Sequence, residues 1–397
     1  LSERAHPSAT AAQPPPPPRR RRLLKMRGAV FNMRRRALST ALSRGAARAP
    51  LALRTGDRLH GFVVRDVEAL PEFEVTAVTL AHEATGAHWL HLDAADTNNA
   101  FHVAFKTTPT DSTGVAHVLE HSVLCGSERF PVRDPFFNML KRSLSTYMNA
   151  MTGPDYTVYP FATQNADDYS NLLKVYLDAC FYPTLDPLDF QQEGHRLEFE
   201  RGADASSALQ RKGVVLNEMK GAMAPHAARY TRELARLLYP TSTYHHNSGG
   251  EPSAIPELTH DALKAFHATH YHPSNARFFS YGDLPLEATL AAVQRDALGR
   301  FDSALADAKL RAFEVRDETR FEAPRRAEIT VPAEAVVLDE EKQTCVSVAW
   351  LLAPRVGPGV DGFEEFALAV ASDLMLSGAD AAFHAPLLAS GLGAGFA

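Results

Sequence analysis

His117-Val118-Leu119-Glu120-His121 sets two imidazoles and one carboxylate at positions i, i+3 and i+4. In a helix these three side chains share one face. Two neutral imidazoles on adjacent turns can hold one metal ion; zinc favours such ligands and keeps an open position for water where it is catalytic. Glu120 then stands beside that water. The metal brings the water's pKa towards neutrality, so a carboxylate is a strong enough base. Asp111-Ser112-Thr113-Gly114 just before the motif is a run of helix-capping residue types and predicts a helix start. Val115, Val118 and Leu119 supply apolar positions for the opposite face. Against this, a chain with 17 histidines matches the spacing by chance with a probability of roughly a few per cent.

A two-histidine motif needs a third protein ligand. Glu218, in the otherwise apolar stretch Val214-Val215-Leu216-Asn217-Glu218-Met219-Lys220, is one candidate. Glu193 and Glu198 in Gln192-Glu193-Gly194-His195-Arg196-Leu197-Glu198 compete with it, and spacing alone does not choose. An isolated Glu is ordinarily a solvated surface charge.

Beyond the motif, the chain resembles the pitrilysin-type inverzincin metallopeptidases. The resemblance runs through segments 105–109, 111–127, 133–137, 147–150 and 156–160, then 175–179, 192–194, 215–221, 267–277 and 389–393. It covers about residues 60–397. It implies one zinc ion held by His117, His121 and Glu218, with Glu120 as general base. Asn149 and Ala150 match a segment whose edge strand takes up an extended peptide by main-chain hydrogen bonding, which demands little of the peptide's sequence. The implied substrates are short unstructured peptides, notably targeting presequences already cut from imported proteins. Family members are roughly twice this length or more and close two halves around a chamber, so the chain reads as an N-terminal part whose C-terminal half is missing. His195 departs from the family, which has a bulky aromatic there. A non-catalytic subunit or scaffold of the same fold is the alternative function, but such relatives are expected to lose the motif residues. A processing peptidase would need a partner with a glycine-rich loop.

Charge is unevenly spread. Residues 1–56 hold 12 Arg and one Lys against the single acid Glu3, a net of +12; the rest has 28 basic and 46 acidic residues, a net of −18. An acidic body attracts basic peptides and speeds their capture. Pro14 to Pro18 is a five-proline run followed by Arg19 to Arg22, which reads as disordered leader. The chain begins with Leu1, and Met33 to Arg44 is Arg- and Ser-bearing and acid-free, the composition of an organellar transit peptide. The mitochondrial matrix is the expected compartment, with the plastid stroma as the other reading. No base-reading module follows the basic arm, so no nucleic-acid partner is expected. No apolar run of membrane-spanning length occurs, so no membrane partner is expected either. Cys125, Cys180 and Cys345 form no C-x-x-C pair, which argues against a thiolate metal site.

Periodicity predicts strands at 73–80, 88–92, 99–105 and 277–281, and helices at 167–181 and 261–269. Strands and helices do not alternate regularly, so the fold class is α+β: an antiparallel sheet packed by helices. The expected domains are a leader (1–56), a zinc peptidase domain (57–315), a charged linker (316–330) and a truncated second domain of similar type (331–397). In the last, 345–352 reads as a strand and 363–376 as a helix. The histidines His260, His267, His270 and His272 read as scaffold rather than a second metal site.

Overall fold

Strict alternation in Asn99-Ala100-Phe101-His102-Val103-Ala104-Phe105-Lys106 buries Asn99, Phe101, Val103 and Phe105 and leaves the residues between them half-buried. This is the period-2 signature of a strand with one face on a core. The computed structural model describes residues 51–311, 313–331, 333, 343–351 and 362–391. Of the leader and transit segment expected over residues 1–56, residues 1–50 lie outside the described residues, and 51–56 form no helix or strand.

In chain order the strands are β1 (Arg58–Leu59), β2 (Phe62–Leu70), β3 (Val75–His82), β4 (His88–Ala94), β5 (Asn99–Lys106), β6 (Ser145–Met148), β7 (Met151–Thr152), β8 (Tyr156–Thr163), β9 (Arg196–Phe199), β10 (Leu209–Lys212) and β11 (Ala276–Gly282). Nine of them form one sheet in the order β1-β2-β3-β4-β11-β5-β8-β6, with β7 beside β6 on β8. β9 and β10 form a separate hairpin. The α+β class is as expected, with one difference in detail. β11 runs parallel to β4 while every other pair in the sheet is antiparallel. β11 arrives through a long helical crossover, so no tight turn dictates its direction.

The helices are α1 (Val115–Val123), α2 (Pro135–Leu140), α3 (Ala166–Phe181), α4 (Pro187–Glu193), α5 (Val214–Ala222), α6 (His226–Leu238), α7 (His260–His270), α8 (Leu286–Asp296), α9 (Asp307–Arg311), α10 (Gly362–Leu376) and α11 (His384–Ala389). α1, which carries the motif, packs on α4, α7 and the β7–β8 end of the sheet. α3 starts where Asn165 accepts a hydrogen bond from the Asp168 N–H, with Asp167 and Asp168 in the first turn facing the positive end of the helix. α1 differs from expectation: its N-cap is Gly114 at φ +70°, with no side-chain cap. Asp111 instead accepts from the backbone and hydroxyl of Thr113, tightening the loop before the helix. Glycine adopts that left-handed turn without strain.

The core beneath the sheet is aromatic. Trp89 is buried, stacks on Phe278 at 5.1 Å and meets Phe62 edge-on at 5.6 Å. Its Nε1–H donates to Ser280 Oγ at 2.9 Å. Each histidine of the His260–His272 group has a local acceptor or partner: Leu185, Cys180 and Phe266 carbonyls for His260, His267 and His270, and Ser274 for His272. They are scaffold, as expected. Cys125 and Cys180 are buried, and burial pushes both thiols up, away from reactive thiolate.

The 316–330 stretch has no helix or strand. Its Glu318 carboxylate accepts from Thr241 and Ser242. The strand expected at 345–352 is absent over its described part, 345–351, and Leu352 lies outside the described residues. Val346, Val348 and Trp350 alternate correctly but stand exposed, because a strand forms only with a neighbour to complete its ladder. The helix expected at 363–376 is α10, and no residue of it is buried. Among the described residues no helix is long and apolar enough to cross a membrane.

Replacing Trp89 with Ala is expected to cost about 3–5 kcal/mol in urea unfolding, the usual range for a buried large aromatic. Trp89→Phe keeps most of the packing and leaves Ser280 Oγ its bond with His91 Nδ1 at 2.9 Å, and is expected to cost clearly less.

Candidate metal centre

Helical spacing puts His117 and His121 on one face of α1, their ring centroids 5.0 Å apart. What aims them is the rest of the fold. The Nδ1–H of His117 donates to the Gly249 carbonyl at 3.0 Å, and the Nδ1–H of His121 donates to Glu193 Oε2 at 3.0 Å. A carbonyl and a carboxylate only accept, so in the neutral imidazoles each Nδ1 carries the proton and each Nε2 keeps a free lone pair. Both Nε2 atoms face Glu218 Oε2, at 3.9 Å from His117 and 3.8 Å from His121. These three ligand atoms lie within 4.8 Å of one another and are the one such group among the described residues. Two imidazole nitrogens and a carboxylate oxygen suit zinc, and ligating histidines held at Nδ1 by a carboxylate or carbonyl are what an oriented metal site requires.

The competitors for the third position fall elsewhere. Glu193 orients His121 from behind. Glu198 sits on β9, held by Arg196 and Lys212. His195 donates to the Leu258 carbonyl at 2.8 Å and packs on Phe190, a scaffold contact.

Backbone approach sets these positions. α4 ends at Glu193 with Gly194 as its C-cap, and α5 begins after Gly213, so the two helices that carry Glu193 and Glu218 are neighbours. A Cβ on Gly213 would overlap the Gly194 carbonyl oxygen. On the other side, a Cβ on Gly114 would come within 2.7 Å of the Gly249 oxygen that His117 needs.

Glu120 is buried on the same helix and accepts from Thr152 Oγ on β7 at 2.6 Å. Asn149 and Ala150 lie between β6 and β7, half-buried. The Asn149 N–H donates to the Pro160 carbonyl at 3.1 Å, and its side-chain oxygen accepts from the Ala150 N–H at 3.0 Å. Among the described residues no strand pairs the outer side of β6 and β7, so this edge is open beside the site. Gly249 and Thr152 were not legible in the sequence: any residue offers a carbonyl, and one threonine among many carries no spacing signal.

In the metal-free chain, burial disfavours a charged His121. Glu193, Glu120 and Glu218 outweigh that and raise its pKa above the usual 6.5. Burial likewise favours neutral Glu193, but hydrogen bonds from His121 and Gln192 hold its carboxyl below the usual 4.5.

Two family models match the chain: "Insulinase (Peptidase family M16)" over residues 106–227 and "Peptidase M16 inactive domain" over residues 257–397. Curated relatives named "Presequence protease, mitochondrial" are similar to it. That of Danio rerio is 50% identical over 356 residues, covering 89% of this chain and 34% of that protein. That of Mus musculus is 50% identical over 346 residues, 87% of this chain and 32% of that protein. That of Yarrowia lipolytica is 44% identical over 369 residues, 91% of this chain and 36% of that protein. The chain thus spans about a third of the length of the curated relatives it matches. Among solved structures, one of pitrilysin is similar with a TM-score of 0.48 at 20% identity, covering 71% of this chain and 27% of that one.

Gly213→Ala is expected to cost about 1–3 kcal/mol, as overpacking does, and to shift α5 so that Glu218 leaves the imidazoles. Gly221→Ala on the same helix, where an added Cβ meets nothing within 4 Å, is the control and is expected to be neutral or mildly stabilising. Chemical denaturation of both variants checks this.

Proposed function

The chain belongs to peptidase family M16, and we propose that it carries the zinc site and general base of a metalloendopeptidase acting on short unstructured peptides such as cleaved targeting presequences. The observation that carries the reading is the convergence of the His117 and His121 Nε2 atoms on Glu218 Oε2, each ring pinned from behind. The proposed ligands are His117, His121 and Glu218; the proposed base is Glu120. Zinc, when bound there, supplies Lewis acidity and a water of near-neutral pKa. Glu120 takes a proton from the attacking water and passes it to the leaving amine. Glu193 and the Gly249 carbonyl keep the imidazoles in the tautomer that ligates.

The open edge at β6–β7, with Asn149 and Ala150, is proposed to take the peptide as an added strand. Main-chain hydrogen bonds then supply affinity with little sequence demand, which suits presequences of varied composition. The net −18 of residues 57–397 favours basic peptides by long-range attraction. The proposed organisation is a peptidase domain over 57–315, a linker over 316–330 and a second unit of similar type over 331–397. The relatives' names support the mitochondrion as the proposed compartment, with its matrix the proposed site of action. Groups beyond this third of the relatives' length are proposed to complete the substrate chamber.

The test is metal content with hydrolysis of an Arg-rich peptide, on this chain and on Glu120→Gln. One zinc per chain in both, with kcat lowered about 10²–10⁴-fold in the variant, is expected. Zinc without cleavage in either would favour a scaffold, or a site that needs a further half. A folded chain without zinc would overturn the reading. Zinc affinity is expected to rise with pH above 6.5, because His121 binds a proton more tightly than a free imidazole and must lose it to ligate. Competition titrations with a chelating dye across that range check the sign.

A further inference from the structure

We propose that Thr152 is a positioning residue: its hydroxyl fixes the Glu120 carboxylate and ties the general base to the strand that receives the peptide. The proposal rests on the peptidase reading above. Thr152 Oγ donates to Glu120 Oε2 at 2.6 Å, the short distance of a hydrogen bond to a charged acceptor. One carboxylate oxygen is thereby engaged, which leaves Oε1 to take the proton in the proposed reaction.

The donor is itself well fixed. Thr152 pairs with Thr157 across β7 and β8, and the next residue closes the turn, the Gly153 N–H donating to the Tyr156 carbonyl at 2.7 Å. A β-branched side chain has few rotamers, so the strand backbone sets the direction of the hydroxyl. Successive strand residues face opposite sides. Met151 is accordingly exposed while Thr152 turns to α1. Asn149 and Ala150 precede Thr152 by three and two residues on the same edge. A peptide laid along that edge immobilises the backbone from which Thr152 reaches Glu120. Substrate uptake and orientation of the base thus share one short strand.

If Thr152 only filled space against α1, its shape would matter and its hydroxyl would not. Thr152→Val keeps the shape and removes the donor; Thr152→Ser keeps the donor and removes a methyl. The experiment measures four quantities on the zinc-loaded chain and both variants: zinc content, melting temperature, affinity for a dipeptide hydroxamate, and kcat and KM for the Arg-rich peptide. A hydroxamate chelates the metal and passes its proton to the neighbouring base, so its affinity reports the placement of Glu120 without turnover. Thr152→Val is expected to keep its zinc and its KM while kcat and hydroxamate affinity each fall about tenfold or more, the scale of a lost hydrogen bond to a charged group. Thr152→Ser is expected to recover most of both. Equal values in Thr152→Val and the unmodified chain would overturn the proposal, as would equal losses in Val and Ser. If the chain binds zinc without cleaving, the hydroxamate comparison decides alone by the same criteria. Absence of zinc from the unmodified chain would overturn the peptidase reading and this inference with it, whereas zinc with an unaffected Thr152→Val overturns the inference only.

Discussion

An imidazole can offer Nε2 to a cation only when its one proton sits on Nδ1, and that proton stays there only if something accepts it. In this chain the acceptors are the Gly249 carbonyl for His117 and the Glu193 carboxylate for His121. Neither lies on α1. Gly249 belongs to a loop that reaches the helix because Gly114 leaves room for it, and Glu193 closes α4, whose end touches the start of α5 at the Gly194–Gly213 approach. The candidate centre depends on these backbone approaches as much as on its ligand atoms.

Three carboxylates stand around two imidazoles. In the metal-free chain His121 answers that negative field by holding a proton more tightly, against the opposing effect of burial. A divalent cation held there would pair the same negative charge, since buried charge is costly until it is paired. Glu218 is the most exposed of the three candidate ligand side chains, 54% against 11% and 23% for the histidines, which leaves one side of the cluster open to incoming groups. The open edge of the sheet lies beside the same cluster, joined to it through Thr152 and Glu120. The candidate metal centre and the open sheet edge are therefore set side by side by the packing of one helix on the last strands of one sheet.

Much of the local structure was readable from residue order. The alternation in β5 and the caps and apolar face of α3 depend on neighbours a few positions away, so their elements appear where expected. The mistakes share a cause. Alternation at 345–351 is genuine, but a strand needs a partner that local sequence does not supply. The direction of β11 depends on its crossover path, and the start of α1 on a loop that uses Asp111 internally and leaves Gly114 to turn.

The sequence by itself determined that His117, Glu120 and His121 share a helical face, since that follows from 3.6 residues per turn. Spacing left Glu193, Glu198 and Glu218 open beside them, and only the resemblance implied Glu218. The physical reason lies in the tertiary structure, which brings Glu218 to the two Nε2 atoms, Glu193 to a ring from behind, and Glu198 to a hairpin with Arg196 and Lys212. Periodicity reaches only as far as one element, whereas which distant residue closes a site is decided by how whole elements pack.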